Sequence, residues 1–281
     1  MRLLRPWLIS ILLIGHLAMS LPAQTPPPPA EGGLGDLLVA PTRVVFEGRK
    51  RSAELNLSNI GLTRATYRVS LVHMEMDAVG AFKELPFDPT TENLKSMFRF
   101  SPREVTLDPH ESQTLRIQVR KPALLPVGEY RLHMTFRAVP PVSTTAPTPV
   151  QSAKGISIKL TPVYGIAIPL IVRHGETSAR LSITEPVLDR ADRVLRFHLN
   201  RSGNQSVYGD LKAILLPTTG EPEVLAEATG LAVYTPNLER IVVLPLRVTR
   251  PVPPGSRIRI TYTLPLQDGG SLLAETTTLI P

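Results

Sequence analysis

Residues 155–173, GISIKLTPVYGIAIPLIVR, are the stretch that decides the fold. Apolar side chains alternate along its first half, at Ile156, Ile158, Leu160, Pro162 and Tyr164. This alternation predicts a β-strand, yet strands usually have about 5–6 residues and seldom exceed about 10. Two interpretations stay open. Either the first half is an exposed edge that docks a partner, or two strands join at Pro162 or Gly165.

The rest of the chain also predicts strands, because β-branched runs alternate with Gly, Pro and Asn and long helical periods are missing. The first predicted series comprises residues 37–46, 52–59, 65–76, 97–105, 113–119, 129–139 and 155–172. The second comprises residues 179–183, 194–200, 210–216, 225–233, 240–246, 257–266 and 271–279. Seven short strands in each half indicate an all-β protein with two immunoglobulin-like β-sandwich domains.

The predicted organisation has four parts. Residues 1–23 have the basic start, apolar run and small residues of a signal peptide, with cleavage after Ser20 or Ala23. Residues 24–35 are a Pro/Gly-rich linker. An N-terminal domain is predicted for residues 36–174 and a C-terminal domain for residues 175–281. The Pro/Ser/Thr-rich segment 140–153 is predicted to be a mobile loop.

Composition and motifs argue against several function classes. The net charge of +7 is modest and the basic residues are scattered, so nucleic acid is not an expected partner. The chain has no cysteine, and its histidines do not have metal-ligand spacing. Nucleophile, phosphate-binding and zinc-protease motifs are absent from the sequence. We therefore expect no catalytic residue, no metal, no cofactor and no small-molecule substrate.

Three segments resemble periplasmic pilus (fimbrial) chaperones of the chaperone–usher, PapD-like family. Residues 41–48 (PTRVVFEG) with 55–59 (LNLSN) resemble the family's opening motif. Glu129 with residues 137–141 (RAVPP) resembles its acidic residue and strand ending, and residues 168–173 (IPLIVR) resemble its final strand. The match covers nearly the whole sequence after the signal peptide and is strongest in the first domain.

The resemblance implies two immunoglobulin-like domains in a boomerang arrangement and a periplasmic chaperone that caps pilin-like subunits by donor-strand complementation. It implies delivery of these subunits to an outer-membrane usher. Arg43 would bind the subunit's terminal carboxylate. The donated side chains would be Ile158, Leu160, Pro162 and Tyr164. An interdomain salt bridge would comprise Glu129, Arg173 and Asp268.

Two departures mark this chain as a divergent member. The family's second carboxylate anchor, a lysine, corresponds to Pro169 here, and Lys154 and Lys159 are the nearby lysines. Pro162 also removes one backbone donor from the predicted donor stretch. The alternative function is a surface adhesion or fibre-structural protein built from immunoglobulin-like domains.

Overall fold

The computed structural model describes residues 36–140, 164–217 and 219–280. The described residues form two β-sandwiches of two sheets each, which confirms the predicted all-β fold class. The predicted signal peptide (1–23) and linker (24–35) lie outside the described residues, as does the predicted loop beyond residue 140.

The first sandwich contains strands β1 to β10. One sheet has the order β1 (Leu37–Ala40), β3 (Ser52–Asn59), β8 (Ser112–Val119), β6 (Phe98–Ser101). The other has the order β2 (Val44–Phe46), β10 (Gly165–His174), β9 (Gly128–Val139), β4 (Ala65–Met76), β5 (Phe82–Leu85), and β7 (Glu104–Leu107) also pairs with β4. Strand β10 is antiparallel to β9 and parallel to β2. It is therefore the strand that connects the edge strand β2 to the rest of the sheet.

The first core follows the alternation of the sequence. The inward side chains Leu55 and Leu57 of β3 are fully buried against Leu115 and Ile117 of β8. Phe136 of β9 closes the same core from the opposite sheet. Strands with one buried face alternate in this way because successive side chains point to opposite sides of a sheet.

Two predicted strands are divided at prolines. The predicted strand at residues 37–46 becomes β1 and β2, which lie in different sheets on either side of Pro41. The predicted strand at residues 97–105 likewise ends at Ser101, and β7 begins after Pro102 in the other sheet. Proline has no N–H for a strand ladder, so strand pairing ends there and the chain can cross between sheets.

A helix and a strand were missed by the sequence prediction. The strand is β5, and the helix is α1 (Pro89–Ser96). Asp88 caps α1 by accepting a hydrogen bond from the backbone N–H of Thr91 at 2.7 Å. A helix of only eight residues gives too few turns for its apolar period to stand out in an all-β sequence.

The second sandwich contains strands β11 to β17. One sheet has the order β11 (Ala179–Asp189), β12 (Val194–Gly203), β15 (Glu239–Pro245). The other has the order β14 (Glu223–Val233), β13 (Val207–Leu216), β16 (Arg257–Thr263), β17 (Leu272–Leu279). Phe197 and Tyr262 are large buried side chains of its core. Within the described residues no strand pairing joins the two sandwiches, so side chains and loops make the contact between them.

Candidate functional site

An apolar cluster lies where the two sandwiches meet. Met76 and Ile171 from the first sandwich pack with Ala232 and Tyr234 from the second, and all four are buried. Ile171 points away from the first core because its neighbours Leu170 and Val172 point into it. One face of β10 therefore belongs to the first core, and the other face contributes to the contact between the sandwiches.

Polar contacts surround this apolar cluster. Arg131 of β9 places its guanidinium 4.3 Å from the ring centre of Tyr234 and donates a hydrogen bond to the Thr235 carbonyl. Burial raises the pKa of Tyr234 to about 12. Asn237 donates from its side chain to the Met76 carbonyl at 2.7 Å. Sequence reasoning missed these residues, since no local pattern shows which side chains meet across two sandwiches.

Glu129 and Arg173 form an ion pair that also reaches the second sandwich. The two residues are directly opposite in the antiparallel β9–β10 register, and Arg173 Nε donates to Glu129 Oε2 at 3.1 Å. The same carboxylate oxygen accepts from the Ser206 backbone N–H at 3.0 Å, and Arg173 Nη2 donates to the Ser206 carbonyl. The exposed fraction is 0% for the Glu129 side chain and 14% for Arg173. The pair therefore holds the start of β13 against the first sandwich.

Arg173 has a third partner, Glu47, whose Oε2 accepts from Arg173 Nη1 at 3.0 Å. The Lys121 ammonium group donates to the Arg173 backbone carbonyl. Burial lowers the pKa of Lys121, and the nearby charge of Arg51 lowers it further, while Glu47 opposes both. Glu47 and Lys121 were missed as members of this site.

Asp268 does not belong to the Glu129–Arg173 pair, which corrects the predicted grouping. It forms its ion pair with Arg43, with Arg43 Nη2 donating to Asp268 Oδ2 at 3.0 Å. Asp268 lies in the turn between β16 and β17, and this turn faces the residue that precedes β2. The sequence does not indicate whether Asp268 pairs with Arg43 or with Arg173, because both arginines line the same cleft.

Arg43 lines a cleft between the sandwiches. Its guanidinium carbon lies 4.1 Å from the ring centre of Tyr208, in a cation–π geometry. The cleft has a volume of about 760 Å³, and its wall includes Arg173 and Arg180. The side chain of Arg43 is 20% exposed, so a ligand in the cleft can reach it. Tyr208 is a further site residue that sequence reasoning missed.

Pro169 lies beside Arg43. Leu170 of β10 is opposite Val44 of β2 in their parallel register, so the preceding residues of the two strands are neighbours. Pro169 is buried and has no charge. The position predicted to correspond to the family's lysine thus has no cation, while Arg173 and Arg180 provide guanidinium groups in the cleft wall. Lys154 and Lys159 lie outside the described residues.

The first half of β10 has an unpaired edge. Strand β2 pairs with residues 170–172 only, whereas β9 pairs with the whole of β10. Residues 165–169 therefore have no paired strand on the β2 side within the described part of the chain. Such an edge presents unpaired backbone N–H and C=O groups.

Tyr164 marks the point where the apolar row of β10 leaves the first core. Ile166 is half-buried and Ile168 is buried, and both pack in that core. Tyr164 has the same parity but is 54% exposed, and its carbonyl accepts a hydrogen bond from the Ala138 N–H at 3.0 Å. Ile158, Leu160 and Pro162 lie outside the described residues. The described strand begins at Gly165, one of the two junctions considered for the long strand.

The described residues contain no group of His, Asp and Glu side chains arranged to hold a metal ion. None of the helices among them has the length and apolarity required to cross a membrane.

One comparison with known proteins finds a similarity to the first sandwich. The family model of pili and flagellar-assembly chaperones, PapD N-terminal domain, matches residues 36–173. No curated protein sequence matches the chain. The matched range contains Arg43, Glu129 and Arg173, which belong to the motifs that carried the sequence resemblance, and Pro169, where the sequence departs from the family.

Several solved structures are similar to the chain. The CupB2 chaperone of Pseudomonas aeruginosa is 14% identical, with 87% of this chain and 100% of that chain covered and a TM-score of 0.45. The CsuC–CsuE chaperone–tip adhesion subunit complex of Acinetobacter baumannii is 12% identical, with 87% and 97% covered and a TM-score of 0.43. The Salmonella enterica SafA pilin–SafB chaperone complex is 18% identical, with 88% and 97% covered and a TM-score of 0.42. At these identities and scores, the likeness alone supports no function.

Proposed function

We propose that this chain is a member of the PapD-like pilus chaperone family, whose N-terminal-domain model matches residues 36–173, and that it binds pilin-like subunits in the periplasm and caps them with a donated strand. In this proposal residues 1–23 are the signal peptide, residues 36–174 form the donor domain and residues 175–281 form the second wall of the cleft. The bound subunit is then passed to an outer-membrane usher. Binding is stoichiometric and involves no catalysis or cofactor.

The observation that carries the proposal is the position of Arg43 beside an unpaired strand edge. Arg43 is adjacent to Pro169 by register, and the unpaired edge of β10 extends from there towards Tyr164. A subunit with its terminal carboxylate at Arg43 has its last strand positioned to pair with this edge. A guanidinium can bind a carboxylate through two parallel hydrogen bonds, which also fixes the register of the added strand.

Ile158, Leu160, Pro162 and Tyr164 are the proposed donor side chains. They continue the parity of Ile166 and Ile168, so the row that fills the first core of this chain would extend into the core of the subunit. Strands rise about 3.3 Å per residue. The eleven steps between residues from Pro169 to Ile158 would therefore reach roughly 36 Å from the level of Arg43.

The free energy expected from the proposed contacts is large enough to offset the cost of association. Burying each large apolar side chain contributes roughly 1.5–3 kcal/mol. Each ladder hydrogen bond adds about 1 kcal/mol net. Four side chains and several hydrogen bonds together exceed the lower estimates of about 4–15 kcal/mol for the cost of association. Glu129 and Arg173 contribute indirectly, because they hold Ser206 and thereby one wall of the cleft.

Co-expression with candidate pilin-like subunits tests the proposal. The wild-type chain should yield a soluble one-to-one complex in a periplasmic extract. Arg43→Ala should abolish the complex by removing the carboxylate anchor, and Leu160→Asp should abolish it by placing a charge in the apolar groove.

Two matched variants serve as controls. Arg196→Ala removes an exposed arginine that pairs with Asp192 in the second sandwich, and Leu124→Asp changes a leucine that is already almost fully exposed. Both variants should retain the complex. A complex that survives both Arg43→Ala and Leu160→Asp, or a chain found assembled in surface fibres, contradicts the proposal.

A further inference from the structure

The Arg43 guanidinium already binds a carboxylate of this chain. Asp268 Oδ2 accepts from Arg43 Nη2 at 3.0 Å, while the aromatic face of Tyr208 lies 4.1 Å from the guanidinium carbon. The contact uses a single nitrogen of a group that can present two parallel donors to a carboxylate. A side-chain carboxylate and a chain-terminal carboxylate are chemically equivalent ligands for this cation.

Asp268 is exposed enough to move away. Its side chain is 42% exposed, twice the exposed fraction of Arg43. Ion pairs with this degree of solvent contact are weak, since water and salt screen both charges. The Glu129–Arg173 pair of the same cleft differs, because the Glu129 side chain is fully buried and has a backbone partner as well.

The backbone holds the Asp268 turn in place without help from the Asp268 side chain. The N–H groups of Asp268 and Gly270 both donate to the Pro265 carbonyl, at 2.8 and 3.1 Å. Gly269 ends the turn with φ at +102°, a left-handed conformation that glycine adopts without strain. A change of the Asp268 side chain should therefore leave the turn and the fold intact.

We propose that Asp268 is a resident carboxylate that occupies Arg43 in the free protein and is displaced by the terminal carboxylate of the partner. This inference rests on the proposed function, in which Arg43 is the carboxylate anchor. Displacement makes Asp268 an affinity-determining residue. Every partner must replace one carboxylate with another and then sit close to the charge it has displaced. Weak carboxylate ligands are thereby excluded, and a partner that also pairs with the edge of β10 is retained.

Peptide binding to the full chain tests the inference. The probe is a fluorescein-labelled peptide of the C-terminal strand of the co-expressed subunit, prepared with a free carboxylate and as the amide. Fluorescence anisotropy gives the Kd for the wild type, Asp268→Asn and Asp268→Ala. Asp192→Asn is the matched control, because Asp192 is an exposed ion-paired aspartate of the second sandwich.

Asp268→Asn and Asp268→Ala should each bind the free-carboxylate peptide about three- to fivefold more tightly than wild type, a range typical of a weak exposed ion pair. The amide peptide should bind all forms equally, and Asp192→Asn should match wild type. The gain should shrink as salt is raised. In an Arg43→Ala background, Asp268→Asn should have no effect, because the two residues act on the same ligand.

The outcomes separate the two proposals. If the free-carboxylate peptide binds wild type better than the amide does, but Asp268→Asn and Asp268→Ala bind it equally well or more weakly, the anchor is upheld and the resident carboxylate is refuted. A gain that persists without Arg43 also refutes it. If wild type binds both peptides equally, or binds neither, the carboxylate anchor itself is refuted and the inference falls with it.

Discussion

At the residue scale, Arg173 and Glu129 show how one ion pair links two sandwiches. Arg173 divides its nitrogens among Glu129, Glu47 and the Ser206 carbonyl, and Glu129 accepts from the Ser206 N–H. A buried ion pair of this kind gives little net stability by itself, since both charges lose water. It fixes the geometry of the contact, because the carboxylate and the guanidinium together hold the Ser206 backbone.

Glu129→Ala should destabilise the chain by about 3 kcal/mol, the lower end of the usual cost of breaking a buried ion pair, because Arg173 keeps Glu47 as a partner. The reason is that the Arg173 guanidinium loses its buried partner and Ser206 loses its acceptor. Urea denaturation followed by circular dichroism measures the change. Glu104→Ala is the control, because Glu104 pairs with Arg68 at an exposed position and its loss should cost no more than about 1 kcal/mol. Equal losses for the two variants would contradict a structural role for Glu129.

His133 makes stability depend on pH. It is buried beside the rings of Phe82 and Tyr234, and burial, with the charges of Arg131 and His73, lowers its pKa from 6.5 to about 3. The fold therefore favours the neutral ring. Its contribution to stability is complete above about pH 6.5 and is lost as the pH falls from 6.5 towards 3.

His133→Phe should keep the ring packing and remove this pH dependence. Between pH 7.5 and 5 the wild type should lose about 2 kcal/mol more stability than the variant, at about 1.4 kcal/mol per pH unit below 6.5. Urea midpoints at the two pH values measure the difference. His198→Gln, at a half-buried histidine hydrogen-bonded to Glu239, is the control and should not flatten the profile in this way. Parallel profiles for wild type and His133→Phe would contradict this assignment.

Some site residues were predictable from the sequence and others were not. Arg43, Glu129 and Arg173 belong to contiguous motifs, and the structure places all three at the contact between the sandwiches. Their roles in binding remain predictions. Asp268 was grouped with the wrong arginine, and Tyr208 and Ser206 were missed, because these contacts join residues more than 30 positions apart in different sandwiches. The periodicity of the sequence does not predict which residues form such pairs.

At the element scale, strand alternation was enough to find most strands but not their ends. Alternating apolar residues predicted β3, β8 and β9 closely, since each has one face in the core. The breaks at Pro41 and Pro102 depended on which sheet each half joined, and alternation is the same in both sheets. The long predicted strand at residues 155–173 is a strand from Gly165 onward among the described residues.

The connection between β10 and β11 is fastened by the end of β12. The Ser178 carbonyl accepts from the Asn204 N–H at 3.1 Å, and the Ser178 N–H donates to the Asn204 side chain at 2.9 Å. Gly203 has φ at +98°, and a Cβ there would lie 2.3 Å from the Ser178 carbonyl oxygen. Glycine is therefore required at this point both by its backbone conformation and by close contact.

Gly203→Ala should lower the free energy of unfolding by more than about 1–3 kcal/mol, because backbone strain adds to the clash with Ser178. Gly220→Ala is a matched control, since Gly220 has φ at +101° with only one atom, 4.0 Å away, near an added Cβ. Gly220→Ala should have only the cost of backbone strain, so its free energy of unfolding should fall by less than that of Gly203→Ala. Urea denaturation compares the two variants, and equal losses would show that contact with Ser178 has no energetic effect.

At the scale of the whole molecule, the two sandwiches meet through one apolar cluster and a set of charged side chains. Met76, Ile171, Ala232 and Tyr234 form the cluster, and the cleft with Arg43 lies beside it. We propose that this contact sets the position of the second wall relative to the unpaired edge of β10. The proposed division at residues 174 and 175 would separate the proposed donor strand from the second wall of the cleft.

The central claim is that a bound subunit pairs with the edge of β10 and the residues before it. Hydrogen–deuterium exchange of the full chain, measured by mass spectrometry with and without the subunit, tests this claim directly. Binding should slow exchange in peptides spanning residues 156–168 and leave β14, on the second sandwich, unchanged. Unchanged exchange over residues 156–168 in a complex that has formed, or protection confined to the second sandwich, would contradict it.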